Sequence, residues 1–152
     1  NNEKDLNAKN IVVNYDFEDF NKKAVNTDEA CLKIALQDVL ETSVKLTDAG
    51  SITIKVDNPE LEIIEQSGIK LTNDVEKESY VRIMITDTGM GLSKNDLDGL
   101  FEPYTQLDKQ NRKIILRSLT LGTAQTIIKR LGGIINLKSE VMKGSVFTVI
   151  LD

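Results

Sequence analysis

The chain has 152 residues and a formal charge of −5, from 19 Lys and Arg against 24 Asp and Glu, and it contains no His. This length can bury one full core without disulfides, and the single Cys31 excludes an internal disulfide, so we expect one domain from a reducing compartment. The missing His excludes histidine metal ligands, general bases and phosphate acceptors within the chain, and the acidic balance argues against binding of nucleic acid or an anionic membrane.

The first third of the chain predicts a strand, a long helix and a second strand. Residues 1–10 are polar and indicate a flexible arm, whereas residues 11–15 have strand composition. Residues 28–46 place apolar side chains, together with Ser43, at three- and four-residue spacing, which predicts an amphipathic helix that begins at an N-capping Thr or Asp. The alternation in residues 51–56 then predicts a half-buried strand.

The middle of the chain is less regular. We expect residues 57–78, which include Pro59 and many charges, to form a loop or an irregular hairpin. Residues 80–85 predict the next strand, and residues 94–100 a short helix. No run of about 18 apolar residues exists, so we expect no membrane-spanning segment and no direct membrane contact.

The last third predicts a loop, a helix and a hairpin. Residues 107–118 show no clean period and indicate a mobile loop. Residues 121–131 predict a second amphipathic helix that ends at the glycine pair 132–133, and residues 134–138 and 145–151 predict a terminal hairpin. The order of the elements predicts an α+β sandwich, with helices on one face of a mixed sheet.

A polar stripe on the long helix has two interpretations. Asp38, Glu41, Thr42 and Lys45 fall within one narrow sector, opposite the apolar face, at 100° per residue. The first interpretation is a solvated surface with an i,i+4 pair between Glu41 and Lys45. The second is the wall of a site, in which two carboxylates, a hydroxyl and an ammonium could hold a metal-bound phosphate.

The strand at residues 80–85 runs into a carboxylate and two glycines, Asp87, Gly89 and Gly91. One interpretation is a tight turn that requires positive φ. The other is a place where the backbone can approach a flat ligand while the carboxylate accepts from an exocyclic amine.

Three motifs in order resemble the catalytic, ATP-binding domain of sensor histidine kinases. They are "DTGMGL" at 87–92, "LFEPYTQ" at 100–106 and "RLGGIINLKSEVMKGSVFTVIL" at 130–151. The resemblance extends over about residues 10–152. That family belongs to the GHKL superfamily, which also includes gyrase, heat-shock chaperone and mismatch-repair ATPases.

The resemblance implies a fold and a division of labour. The fold would be the Bergerat-type two-layer α/β sandwich, a mixed five-stranded sheet backed by three helices, formed by residues 11–152 with a lid at about 104–120. Asp87 would accept from the adenine amino group of ATP, and the two glycines of its motif would let the backbone approach the base. Phe101 would anchor the start of the lid, and Lys45 would face the site.

The phosphate side departs from the family pattern in two places. Asp38 and Thr42 stand where members typically have Asn, and the second Asn commonly helps to hold Mg²⁺. Their oxygens remain candidate Mg²⁺ ligands, because Mg²⁺ prefers hard oxygen donors. Ser118 and Thr120 stand where the phosphate-binding loop has glycines, ahead of Gly122. Each adds a Cβ where close phosphate approach or positive φ is needed.

The predicted function is to bind Mg-ATP and position it, through Asp38, Thr42 and Lys45 as the candidate catalytic residues, to phosphorylate a His on a separate dimerisation domain. That domain of the same parent protein and a response regulator or receiver domain are the implied partners. We expect weakened nucleotide binding, and no activity from this domain alone. One alternative is a pseudokinase that serves as a regulatory or docking domain, and another is an ATP hydrolase with Asp38 as its base. The resemblance implies a cytoplasmic domain of a parent that can itself be membrane-bound.

Overall fold

The structure is a computed structural model that describes residues 8–17, 20, 26–70, 79–100 and 121–152, with only the backbone of residues 98 and 99. Residues 1–7 of the predicted flexible arm at 1–10, and the predicted loop at 107–118, lie outside the described residues. Among the described residues no helix is long and apolar enough to cross a bilayer.

The strands of the described residues form one mixed, five-stranded sheet. Its order is β1-β2-β3-β5-β4, in which β1 and β2 are parallel and the other neighbours are antiparallel. The predicted sheet and terminal hairpin are therefore confirmed. The elements in chain order are β1 Ile11–Asp16, α1 Glu29–Leu46, β2 Gly50–Asp57, α2 Leu61–Gln66, β3 Val81–Asp87, α3 Lys94–Leu100, α4 Leu121–Arg130, β4 Ile134–Glu140 and β5 Gly144–Leu151.

Helix α1 is capped at both ends. The carboxylate of Asp28 accepts from the amide of Cys31 at 2.9 Å, an N-cap contact that typically stabilises a helix by about 1 kcal/mol. At the other end, Lys9 Nζ donates to the carbonyls of Val44 at 2.9 Å and Thr47 at 3.1 Å. A cation at the C-terminus also complements the helix dipole. The predicted helix is thus confirmed, and Lys9 ties the segment before β1 to its end.

The main core lies between the sheet and the two longer helices, α1 and α4. These helices pack on the same face of the sheet, because their buried side chains share one cluster with alternate residues of β2, β3 and β5. The core side chains with an exposed fraction of 1% or less include Ala35, Val39, Leu46, Ile52, Leu121, Ala124, Ile128, Phe147, Val149 and Leu151.

The end of α4 confirms the predicted glycine stop. Gly132 has φ +81°, and its amide bonds to the carbonyl of Lys129 at 3.1 Å. The amide of Gly133 bonds to the carbonyl of Ile128 at 2.9 Å. This pair of bonds is the Schellman motif, which needs a left-handed residue at its centre. The motif turns the chain directly into β4.

The prediction of a loop or irregular hairpin at residues 57–78 is wrong for its middle part. Residues 61–66 form helix α2, and its Ile64 is fully buried against Tyr80 and Ile150. Ile150 lies between Val149 and Leu151, which point into the main core, so α2 covers the opposite face of the sheet. A segment of six residues is too short to show a helical period in the sequence. Such a short helix is stabilised by tertiary packing rather than by its own residues.

The glycine loop, residues 88–92, follows β3 and is held by α1 and β2. The amide of Met90 bonds to the carbonyl of Leu46 at 2.9 Å, which satisfies one of the unpaired carbonyls at the end of α1. The amide of Thr88 bonds to the carbonyl of Ser51 at 3.1 Å, and its hydroxyl accepts from the Ser51 amide at 3.0 Å. The loop therefore cannot move independently of these two elements.

The hydroxyl of Ser139 joins the glycine loop to the β4–β5 hairpin. It accepts from the amide of Leu92 at 2.8 Å, donates to the carbonyl of Gly144 at 3.0 Å and lies 2.9 Å from the hydroxyl of Ser145. In this pair of hydroxyls either Ser139 or Ser145 can be the donor. One side chain thus fixes the end of the loop.

The face of the sheet opposite the long helices carries a buried ion pair. Arg82 Nε and Nη2 donate to the two carboxylate oxygens of Asp57 at 2.7 and 2.6 Å, and the side chains are 18% and 5% exposed. Lys55 Nζ lies 3.9 Å from the same carboxylate and 3.4 Å from that of Asp16. The pair spans β2 and β3, where Asp57 and Arg82 are register partners.

We predict that Arg82→Met lowers the free energy of unfolding by about 3 kcal/mol, because it leaves the buried carboxylate of Asp57 without its main partner. The double variant Arg82→Met/Asp57→Leu should recover most of this loss, since it removes both charges. Urea denaturation followed by circular dichroism measures both. A single variant that loses less than about 1 kcal/mol would contradict the assignment.

We predict that Ser139→Ala loosens the glycine loop, because the amide of Leu92 loses its partner at a cost of about 1–2 kcal/mol. Amide hydrogen exchange followed by mass spectrometry should show faster exchange in residues 88–92. Ser67→Ala is the matched control, since the Ser67 hydroxyl also bonds to a backbone carbonyl, but in α2. Equal exchange in the loop of both variants would show that Ser139 does not hold it.

Candidate functional site

The carboxylate of Asp87 is the centre of the candidate site. It lies at the end of β3, a central strand, and points to the same face as the core residue Ile85. Its side chain is buried, with an exposed fraction of 1%. Oδ1 accepts from the amide of Gly89 at 2.9 Å, whereas Oδ2 is shielded from solvent and has no hydrogen-bond partner. The site therefore offers one buried acceptor that no other described residue satisfies.

The position of Asp87 affects its titration. Burial raises the pKa of this carboxyl above its ordinary value, because a charge is disfavoured away from water. The amide of Gly89 and the contact with Ser145, its register partner on β5, offset part of this rise. A buried carboxylate with one free oxygen is suited to accept from a neutral N–H donor.

The glycines beside Asp87 are required by contacts within the protein. A Cβ on Gly89 would overlap the carbonyl of Leu46 at the end of α1. Gly91 has φ +62°, and a Cβ there would overlap the carbonyl of Glu140. The turn interpretation is thus confirmed for Gly91, while Gly89 lets the loop approach α1. Their role towards a base remains a prediction.

The polar stripe of α1 is only partly a solvated surface. Thr42 is 3% exposed, and its hydroxyl donates to the carbonyl of Asp38 at 2.9 Å. Asp38, Glu41 and Lys45 are half-buried. The pKa of Asp38 is raised above its ordinary value, mainly by partial burial and to a smaller extent by repulsion from Glu41, whereas the positive charge of Lys45 lowers it. Among the described residues no group of three or more His, Cys, Asp and Glu side chains could hold a metal ion.

The sequence prediction missed Ser43, which it assigned to the apolar side of α1. Ser43 is fully buried, and its hydroxyl has no hydrogen-bond partner. It lies close enough to Asp87 to lower the pKa of that carboxyl, although no complete hydrogen bond joins them. The available signal was a hydroxyl at an apolar position of a helix that packs on the end of β3.

The remaining candidates are divided between described and undescribed parts of the chain. Phe101, Ser118, Thr120 and the lid at about 104–120 lie outside the described residues. Gly122 lies in the first turn of α4, is half-buried, and accepts from the hydroxyl of Thr126 through its carbonyl at 2.9 Å. The structure thus brings α1 and β3 together at Asp87, and their roles towards a ligand remain predictions.

Comparison with known proteins identifies the family. Residues 27–152 match the family described as histidine kinase-, DNA gyrase B-, and HSP90-like ATPase. Hybrid signal transduction histidine kinase B of Dictyostelium discoideum is 31% identical over 125 residues, which are 82% of this chain and 6% of that protein. The chain thus spans a small part of the length of this relative.

Solved structures share the fold. The catalytic domain of histidine kinase ThkA, in a nucleotide-free form, matches with a TM-score of 0.69 at 18% identity, over 98% of this chain and 83% of that one. Full-length ShkA in complex with AMPPNP matches with a TM-score of 0.68 at 19% identity, over 97% of this chain and 27% of that one. At these identities the likeness shows the fold alone. Because the family match covers most of the chain, the chain belongs to the histidine kinase-, DNA gyrase B- and HSP90-like ATPases, as an ATP-binding catalytic domain of the sensor histidine kinase type.

Proposed function

We propose that this domain binds ATP through Asp87 and presents the γ-phosphate to a His on another domain of its parent protein. The observation that carries the proposal is the unpartnered Oδ2 of the buried Asp87 carboxylate. A buried acceptor without a partner costs about 1–3 kcal/mol, which an adenine amine would recover on binding. Because Oδ2 is shielded from solvent, the base must displace neighbouring groups to reach it.

The phosphate side would use the half-buried stripe of α1. Lys45 would contact the phosphates, and the oxygens of Asp38 and Thr42, one helical turn apart, would contribute to a Mg²⁺ site that phosphate oxygens complete. The Thr42 hydroxyl gives its proton to a backbone carbonyl, so its lone pairs remain for a cation. Phosphoryl transfer needs positioning and charge neutralisation more than covalent chemistry, which is what these groups supply.

The acceptor of the phosphate must lie outside this chain, which contains no His. A His-containing dimerisation domain of the same parent protein fits this requirement, and a response regulator or receiver domain would take the phosphate next. The large size of the kinase relative supports a parent with several domains. The named kinase relatives also favour an active domain over one that only docks.

We predict that Asp87→Asn abolishes ADP binding, because the amide would present its NH₂ to the adenine amine in place of an acceptor. Isothermal titration calorimetry with ADP and Mg²⁺ measures this. Asp48→Asn is the control, since the side chain of Asp48 is 97% exposed at the end of α1 and should leave binding unchanged. Survival of ADP binding in Asp87→Asn would refute the site.

We also predict that Asp87→Asn is at least as stable as the parent sequence at pH 7 without nucleotide. The pKa of Asp87 is raised in the folded state above its ordinary 3.8, so its ionised form destabilises the fold once the pH exceeds that value. The advantage of Asn should shrink as the pH falls towards 4, because the folded state takes up the proton at a higher pH than the unfolded state does. Thermal melts from pH 4 to 8 measure this, and a lower midpoint at pH 7 would contradict it.

The two residues that replace glycines before α4 give a separate prediction. Ser118→Gly/Thr120→Gly should tighten ATP binding several-fold and leave adenosine binding unchanged, because the change removes side chains from the phosphate cradle only. Calorimetry with both ligands measures the difference. An equal gain for adenosine would mean that the substitutions act on the base side or on the fold, and unchanged ATP affinity would shift the defect to Asp38 and Thr42.

A further inference from the structure

The hydroxyl of Ser43 is the least expected feature of α1. Three hydroxyl side chains, Thr42, Ser43 and Thr47, lie near the end of this helix, and all are at most 3% exposed. Thr42 and Thr47 satisfy their hydroxyls on the carbonyls four residues earlier, at 2.9 and 2.8 Å. Ser43 makes no such bond, although a serine in a helix can bond in the same way. Its hydroxyl is instead beside the Asp87 carboxyl.

The two unpartnered atoms, Ser43 Oγ and Asp87 Oδ2, come from two elements that meet here. The end of the helix that carries Ser43 is bonded to the loop after Asp87, from the amide of Met90 to the carbonyl of Leu46 at 2.9 Å, and the Ser43 hydroxyl is close enough to lower the pKa of Asp87. Each is shielded from solvent, and each costs free energy as long as it has no partner. Ser145 contacts the carboxylate and lies 2.9 Å from the hydroxyl of Ser139, but among the described residues neither side chain completes a hydrogen bond to Oδ2. A hydroxyl donor and a carboxylate acceptor are thus held side by side without a hydrogen bond that satisfies either.

We propose that Ser43 is a base-specificity residue, which donates to ring nitrogen N1 of adenine while Asp87 Oδ2 accepts from the adjacent amine. The proposal rests on the proposed function, because it deepens the assignment of Asp87 as the adenine acceptor. Adenine presents its exocyclic amine, a donor, next to N1, an acceptor. The amine complements the Asp87 carboxylate, and N1 complements the Ser43 hydroxyl. Guanine reverses both, so its carbonyl oxygen would face the carboxylate and be rejected.

Calorimetry with three diphosphates tests the proposal in the whole chain: ADP, 1-deaza-ADP, in which C–H replaces N1, and purine riboside diphosphate, which lacks the amine. Ser43→Ala should weaken ADP binding about tenfold, the effect of losing one buried hydrogen bond. It should not weaken 1-deaza-ADP further, because that base has no N1 to accept. It should still weaken purine riboside diphosphate, which keeps N1. Ser67→Ala, on the far face of the sheet, should change none of the three.

Two results would overturn the proposal and leave the proposed function intact: ADP affinity that Ser43→Ala does not change, or an equal loss for ADP and 1-deaza-ADP. If the parent sequence binds ADP and Asp87→Asn does not, the adenine site stands whatever Ser43 does. If the parent sequence binds no adenine nucleotide, the proposed function and this inference fail together.

Discussion

The buried carboxylate of Asp87 is the constraint around which the site end of the fold is arranged. A charge with 1% exposure destabilises the folded state, and the described part of the chain satisfies only one of its two oxygens. Glycine is needed at position 89 because its missing side chain lets the loop meet α1, and this places its amide where it binds Oδ1. The free-energy cost of leaving Oδ2 without a donor is explained most simply by a ligand that supplies one. Under the proposed function that ligand is the adenine base.

The rest of the fold keeps that carboxylate in place. The glycine loop has no regular structure, yet its backbone is bonded to the end of α1, the start of β2 and the terminal hairpin. The hydroxyl of Ser139 contributes one of these contacts, to Leu92, and is itself held by two contacts within the hairpin. The hairpin is therefore part of the site although it follows Asp87 by about fifty residues. On the far face, the pair between Asp57 and Arg82 joins β2 to β3, the strand that carries Asp87. The site is therefore a product of long-range contacts on a rigid scaffold.

The sequence predicted the elements whose signals are local. The amphipathic period of α1, the glycine stop of α4 and the alternation of β2 each depend on a few neighbouring residues, and the structure confirms all three. Asp87 was found because a motif carries it. Helix α2 was missed, since it is stabilised by packing on Tyr80 and Ile150 rather than by its own six residues. Ser43 and Ser139 were missed as site residues because their importance depends on partners more than forty positions away.

The base side and the phosphate side of the site are supported differently. The proposed base side has a defined geometry in Asp87, Gly89 and Ser43, whereas the proposed phosphate side is described only on α1. The central claim is that Asp87 Oδ2 accepts from adenine. A crystal structure of the chain with ADP tests it most directly. We expect the amine of adenine about 3 Å from Asp87 Oδ2, with Oδ1 still bound to the amide of Gly89. An adenine ring bound elsewhere, or an amine that faces another group, would contradict the claim.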